Sequence, residues 1–281
     1  MYKQKKLDVD LILIDLDHTL VEHGNPTLSN FTKNTIAQAK KLGKEIVICT
    51  GRSLEDSAHY GKKLELTYHI CFGGAVVYDL KADKIIHFYK FSLQELQNLI
   101  DRNFFADLNL FVNFHGIDVK TGMMKDFFWG QKNPEFKKHE MKNSHFVQIK
   151  DLKELLKFHI FKINIFAEVK TLDVFTPQLQ SLTKLNVIRN YPEILEITSN
   201  NISKANGAQW LIDLLNIDYQ KTLAFGDSHN DVGLFKFVRY GVVVANAVPE
   251  LKKIAFAETK KHNEDGVAQG IVKWILPEKK L

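Results

Sequence analysis

Cysteine, arginine and long apolar runs are all scarce in this chain of 281 residues. Cys49 and Cys71 are the only cysteines, too few for a disulfide-stapled secreted scaffold and without the spacing of a metal site. Each lies in an apolar run, so a buried thiol is expected at both. Arginine occurs only at 52, 102, 189 and 239, and the rest of the 38 basic residues are lysines spread along the chain. The net charge of +5 therefore reads as solvated surface, not as a basic block for nucleic acid. Nowhere do eighteen apolar residues run together, and the basic opening MYKQKKLDVD leads into an apolar stretch that Asp15 and Asp17 interrupt at once. Neither a membrane span nor a signal peptide is expected. No Gly-x-x-x-x-Gly-Lys-Ser/Thr phosphate loop, internal repeat or low-complexity tract occurs. The expectation is a soluble cytoplasmic protein without nucleic-acid or membrane partners, and no feature of the sequence sets an oligomeric state.

What is present is a large apolar fraction, 45% of residues, against 25% charged, enough to bury one large or two modest cores. The first segment alternates. LILIDLD reads as a strand covered on both faces, SNFTKNTIAQAKKLG as a helix with Ser29 or Asn30 as N-cap, apolar Phe31, Ile36 and Ala39 near helical spacing, and Gly43 as a stop. KEIVICTGR is a second buried strand, SLEDSAHYGKKLEL a second helix, and YHICFGGAVVYD a third strand broken by Gly73 and Gly74. This βαβαβ order is that of a doubly wound parallel sheet.

From about Lys84 the strands lengthen and fill with phenylalanine: KIIHFYKF, NLFVNFHGID and FHIFKINIFAE, with helix-like SLQELQNLIDRNF and VKTLDVFTPQLQSLTK between them. QKNPEFKKHEMKNSH, the most polar stretch, reads as a loop. This section, residues 83–199, is expected to be a separate α+β domain. Alternation then resumes with the helix SKANGAQWLIDLLN, the strand TLAFGDSHND, the short helix VGLFKFV and the buried strand YGVVVANA. The expected fold class is therefore α/β, a doubly wound core built from residues 1–82 and 200–281, with an insertion in its middle.

Two of these strands end in acids. Asp15 and Asp17 fall where LILI leaves the sheet, and Asp227 and Asp231 repeat the device after TLAFG. Such acids either cap turns or line the crevice beyond the strand ends where α/β sheets bind ligands. A pocket of several carboxylates is costly unless a cation neutralises it, and oxygen-only ligation suits Mg²⁺ accompanied by substrate phosphate. Thr50 ends a third strand with a hydroxyl, and Lys204 opens a helix with a positive charge that a phosphoryl group needs.

The ordered set DLDHT, CTGR, SK and GDSHND resembles the four motifs of the haloacid dehalogenase superfamily of aspartate-nucleophile phosphatases. The long insertion preceded by GGAVVYD, and the closing segments NAVPELKKIA and NEDGVAQGI, resemble the Cof-type subfamily with its class IIB cap. The resemblance implies a Mg²⁺-dependent phosphomonoesterase acting on small phosphorylated metabolites, sugar phosphates or nucleotide-derived phosphates, through an aspartyl-phosphate. It implies Asp15 as nucleophile and Asp17 as acid and base, and Thr50, the Gly51 amide, Lys204 and Asn230 around the phosphoryl oxygens. Asp15, the Asp17 backbone carbonyl and Asp227 would hold the metal, with Asp231 and Thr19 orienting those groups. Asn230 is equally suited to a turn, and Thr19 to a structural hydroxyl.

Arg52 looks like a phosphate clamp by type, yet a structural salt bridge is the expectation for it. His18 stands where the family most often has glycine, so either the loop tolerates a side chain there or His18 faces substrate. Gly73 stands where the subfamily usually has asparagine, which removes a side-chain hydrogen bond. Phe111, Phe114, Phe127, Phe128 and Trp129 suit stacking on a sugar or base, and suit a core better. Two other functions remain open at this point: a phosphohexomutase of the same superfamily, told apart by isomerised product in place of released phosphate, and a silent phosphometabolite sensor, which turnover would exclude.

Overall fold

The aliphatic run Leu11–Ile14 forms strand β1, and all four of its side chains are fully buried because the sheet carries helices on both faces. Alternation sends Ile12 and Ile14 into one core layer, with Ile36, Tyr60, Ile271 and Trp274, and Leu11 and Leu13 into the other, with Ala208, Leu211 and Leu234. The computed structural model describes residues 6–22, 27–102, 104–105, 110–139, 146–182 and 184–277. Two compact units account for them, one made of Met1–Phe88 with Ser203–Leu281 and the other of Tyr89–Ile202.

In chain order β1 is followed by α1 (Asn30–Lys41), β2 (Glu45–Cys49), α2 (Leu54–Lys63), β3 (Tyr68–Cys71), β4 (Val76–Asp79) and β5 (Lys84–Phe88). The second unit contributes α3 (Leu93–Asp101), β6 (Phe111–Asp118), β7 (Met124–Gly130), α4 (Pro134–His139), β8 (Phe146–Gln148), β9 (Phe158–Phe166), α5 (Val169–Leu182), β10 (Asn186–Tyr191) and β11 (Ile194–Thr198). The first unit is completed by α6 (Lys204–Leu215), β12 (Thr222–Gly226), α7 (Val232–Phe237), β13 (Tyr240–Val243), α8 (Pro249–Lys252), β14 (Ala257–Glu258) and α9 (Gly266–Trp274).

The sheet of the first unit has the order β14-β13-β12-β1-β2-β3-β4-β5. It is parallel from β14 to β3, and β4 and β5 close it as antiparallel strands. β1 lies between β2 and β12, with Ile14 opposite Ile48 and Phe225, so the residues after three neighbouring strands emerge side by side. Two sequence expectations are corrected. YHICFGGAVVYD is not one interrupted strand but the antiparallel pair β3 and β4, turning through Phe72–Gly74. KIIHFYKF belongs to the first unit's sheet through Lys84–Phe88, so the chain leaves that unit after Phe88, not at 82, and re-enters it at Ser203, not at 200. Pairing with β4 decides this, and composition does not reveal pairing.

Serine caps set the helix starts. Ser29, not Asn30, accepts from Thr32 N at the head of α1, and Ser53 and Ser203 do the same for α2 and α6. The buried face of α1 is Thr32, Thr35, Ile36 and Ala39, whereas Phe31 is exposed.

In the second unit six strands run β10-β11-β9-β6-β7-β8, antiparallel except for the β7–β8 pair. Val112, Phe114, Ile163, Ile165, Leu195 and Ile197 share a core with Leu96, Leu99 and Ile100 of α3 and Leu172 and Leu179 of α5. Phe111, Phe114 and Phe127 are buried, and the Trp129 indole N–H donates to Phe105 O at 2.9 Å, so these aromatics build the unit. The stretch read as a loop at 131–145 contains the helix α4, and its residues 140–145 lie outside the described residues.

One buried group gives the fold a pH response. His69 on β3 is fully buried and its Nε2 lies 2.8 Å from Ser57 Oγ, whose own hydrogen goes to Ser53 O. Burial, helped by His59, lowers its pKa from 6.5 to about 3. The unfolded chain then takes up a proton below pH about 6.5 that the folded chain refuses until about 3, so stability falls as pH drops through that window. A loss on the order of 3–5 kcal/mol between pH 7 and pH 3.5 is expected from this residue. Urea midpoints across that range should be less pH-dependent in His69→Gln than in the native sequence; equal slopes would exclude His69 as the source.

Candidate active site

Asp15 follows β1 directly, and its N–H still bonds Phe225 O of β12 at 3.0 Å, so the ladder itself aims the first acid. Thr50 follows β2, with its N–H on Ile70 O at 2.9 Å, and Asp227 follows β12. Lys204 is the first residue of α6 and is almost completely buried, as are Asp15, Thr19, Thr50, Asp227 and Asp231.

Lys204 Nζ donates to Asp15 Oδ1 and, at 2.7 Å, to Asp231 Oδ1. The other oxygen of Asp231 accepts from the backbone N–H of Asp227 at 3.0 Å and of Ser228 at 3.2 Å, which ties the lysine to the loop after β12. Thr19 Oγ1 donates to Asp227 Oδ1 at 3.1 Å. Carboxylate oxygens of Asp15, Asp227 and Asp231 all lie within 4.8 Å of one another. Three acids against one lysine leave a surplus of negative charge in a buried place. Burial pushes the Asp15 carboxyl up to about 8, against the pull of Lys204 and with the help of Asp231 and Asp227. Burial and then Asp231 push Asp227 up to about 6. Lys204 is pulled down by burial, but Asp15 and Asp231 outweigh this and hold it above the ordinary lysine range. An oxygen-only, electron-rich donor set of this kind fits a small hard cation such as Mg²⁺.

Asp17 turns the other way. Its carboxylate receives both arms of Arg52, Nε at 2.8 Å and Nη2 at 2.5 Å. The salt bridge expected of Arg52 is thus made with one of the candidate catalytic acids, a pairing that no spacing in the sequence announces. Thr50 Oγ1 accepts from the Arg52 N–H at 3.1 Å, so its hydroxyl serves the same turn. Asn230 is exposed and stands beside Gly51, with Ser228 Oγ as its hydrogen-bond partner at 3.5 Å. Its amide is not among the partners of Lys204, which are Asp15 and Asp231.

The departures from the family pattern resolve in backbone terms. His18 adopts φ 56 and its ring stands edge-on to His262, centroids 5.5 Å apart, so the loop accommodates the side chain. The Gly73 N–H bonds Thr50 O at 2.9 Å, a contact that needs no side chain. Two glycines are decisive here: Gly74, which the sequence offers only as a strand break, and Gly226, which it does not single out. A Cβ on Gly74, at φ 100, would run into the Ser203 carbonyl, and one on Gly226 would lie 2.6 Å from Asp231 Oδ2. Both positions let the head of α6 and the Asp231 carboxylate approach the sheet. Cys49 is buried, with its Sγ 3.9 Å from Lys204 O, and burial pushes its thiol up to about 12, so it is packing.

The face of the second unit's sheet opposite α3 and α5 carries a polar network. His115 Nδ1–H donates to Asp126 Oδ1 at 2.7 Å, leaving Nε2 to accept from Asn164 Nδ2 at 3.1 Å and Asn113 Nδ2 at 3.3 Å. Lys162 pairs with Glu196 at 2.6 Å. Asn113 Oδ1 is buried and meets no hydrogen-bond partner among the described residues.

The family model of haloacid dehalogenase-like hydrolases matches residues 12–271. A Streptococcus pyogenes protein named provisionally as a phosphatase is 29% identical over 96% of this chain and 100% of its own length. The 5-amino-6-(5-phospho-D-ribitylamino)uracil phosphatase YitU of Bacillus subtilis is 28% identical over 92% of this chain and 95% of its own. Among solved structures, TM0651 of Thermotoga maritima superposes with a TM-score of 0.80 at 21% identity, covering 96% of this chain and 98% of that one. No helix among the described residues is long and apolar enough to cross a membrane.

Proposed function

Because this chain belongs to the haloacid dehalogenase-like hydrolase family, we propose that it is a Mg²⁺-dependent phosphatase of small phosphorylated metabolites, working through an aspartyl-phosphate on Asp15. The observation that carries this reading is the convergence of Asp15, Asp227, Asp231 and Lys204 at the ends of β1, β12 and the head of α6. Phosphoryl transfer needs charge placed beforehand around a phosphorus centre more than it needs elaborate covalent chemistry.

Asp15 attacks phosphorus in line with the ester oxygen, forming an Asp15 O–P bond as the P–O bond to the leaving group breaks. Asp17 gives that oxygen its proton, then takes one from the water that attacks the same phosphorus and frees inorganic phosphate and Asp15. Arg52 holds Asp17 as the carboxylate that accepts the water's proton. To donate, the carboxyl must leave that fork. Lys204, Thr50, the Gly51 amide and Asn230 hold the phosphoryl oxygens. Asp15, the Asp17 carbonyl and Asp227 would hold the metal, while Asp231, through Lys204 and the amides after β12, keeps that cluster aligned. Held by these residues, Mg²⁺ would supply positive charge to offset the acids and the charge on the transferring group.

The substrates proposed are the hydroxyl- and amide-bearing esters that sugar phosphates and nucleotide-derived phosphates present. The Bacillus subtilis relative named for a phosphorylated ribitylaminouracil supports the second of these.

The test is release of inorganic phosphate from a panel of such esters with Mg²⁺. EDTA should remove the activity, Mg²⁺ should restore it, and Ca²⁺ should support a few per cent or less, roughly, because its larger, looser coordination draws the nucleophile's oxygens onto the metal. Full rates in chelator or in Ca²⁺ would exclude this metal role, and isomerised product without released phosphate would identify a mutase.

A further inference from the structure

The turn that carries Asp17 is pinned on both sides of His18. Its N–H donates to Val21 O at 2.8 Å, which fixes the peptide bearing the Asp17 carbonyl. Its own carbonyl accepts from Asn246 Nδ2 at 2.8 Å, which fixes the peptide leading into Thr19. Between these two planes His18 holds φ 56, the left-handed region that a residue with a Cβ avoids unless its surroundings impose it. Asn246 follows β13 and is itself oriented: its Oδ1 accepts from the N–H of His262 at 3.0 Å, in the turn that precedes α9. The His262 ring meets the His18 ring edge-on.

We infer that Asn246 is a positioning residue for hydrolysis: it holds His18 in the left-handed conformation and thereby keeps Asp17 and Thr19 aimed. Four residues of the turn are each tied to a different element. Lys204 holds Asp15, Arg52 holds Asp17, Asn246 holds the His18 carbonyl, and Thr19 reaches Asp227. Without Asn246, His18 relaxes toward negative φ, and the Asp17 and Thr19 segments rotate relative to each other about it. Because Asn246 is exposed, the bond it makes contributes little to global stability, so its loss falls on geometry. The inference rests on the acid role proposed for Asp17.

Asn246→Ala is assayed with Mg²⁺ on p-nitrophenyl phosphate, whose leaving group needs little protonation, and on glycerol phosphate, whose alkoxide needs the acid. The kcat for glycerol phosphate should fall about 10-fold and that for the nitrophenyl ester no more than about 3-fold, with KM and thermal midpoint nearly unchanged. In Asn246→Ala combined with His18→Gly, where a left-handed residue carries no Cβ penalty, the glycerol phosphate rate should recover several-fold. An equal fall on both esters, a fall matched by loss of folded protein, or no recovery with glycine overturns the inference. Asp17→Asn serves as reference: if it too lacks preference for the poor leaving group, the acid role fails and the inference with it. If Asp17→Asn discriminates and Asn246→Ala does not, only the inference falls.

Discussion

Asp15→Asn is expected to reduce phosphate release by about 10⁴-fold or more while leaving the protein folded. The amide has the shape of the carboxylate but no charge to displace a leaving group from phosphorus. The substitution is structurally mild because Asp15 is buried among Asp227 and Asp231, which makes its charge costly: its carboxyl is pushed up to about 8. Removing that charge leaves Lys204 its bond to Asp231. The thermal midpoint of metal-free Asp15→Asn should therefore equal or exceed that of the native sequence. Measurable turnover close to native in freshly purified protein, checked by mass for deamidation, would remove Asp15 as nucleophile. A collapsed midpoint would instead show that the carboxylate has a structural role that its crowded setting does not suggest.

Lys204→Met carries the second large effect, and it reads out twice. Rate should fall about 10³-fold, the scale of losing one preorganised charge at a reacting centre. Stability should also fall, on the order of 3–5 kcal/mol, because Asp15 and Asp231 stay buried without their shared cation. The sign of its pH dependence follows from the acids. A carboxyl whose folded pKa is raised above its unfolded value keeps its proton in the native state, so stability declines as pH rises from about 4 toward the folded value. Lys204 lowers the raised pKa of both Asp15, about 8, and Asp227, about 6, so its loss raises these two further. The deficit of Lys204→Met relative to the native sequence should thus grow as pH rises from about 6, the native value of Asp227, through about 8, that of Asp15, measured as urea midpoints in EDTA. A deficit that shrinks with pH would mean that Lys204 is not the cation these acids depend on.

The acid-tipped strands were legible because two physical demands coincide in them. A strand covered on both faces must be continuously apolar, and a site beyond its carboxyl end must be polar, so LILI-Asp15 and TLAFG-Asp227 announce themselves by an abrupt change. The helix segments opening near Ser29, Ser53 and Ser203 were legible for a similar reason, since capping is local, although the choice of Ser29 over Asn30 waited on the structure. Strand pairing is not local. Lys84–Phe88 has the phenylalanine-rich texture of the inserted unit yet pairs with β4, and Met124–Gly130 alternates too weakly to mark itself before β6 is beside it.

What the sequence determined by itself is the order of motifs, the buried strands that carry them and the residue types available for catalysis. These follow from periodicity and chemistry within short windows, where a chain has few alternatives. Only the tertiary structure decided which charges meet. Lys204 lies 189 residues from Asp15 along the chain and Arg52 lies 35 from Asp17, and nothing in either window selects one acid over another. The choice is made by the parallel order β12-β1-β2, which brings three strand ends together, and by Gly74 and Gly226, whose missing side chains let α6 and Asp231 close on them. Distances through space, set by packing, assign partners that distances along the chain leave free.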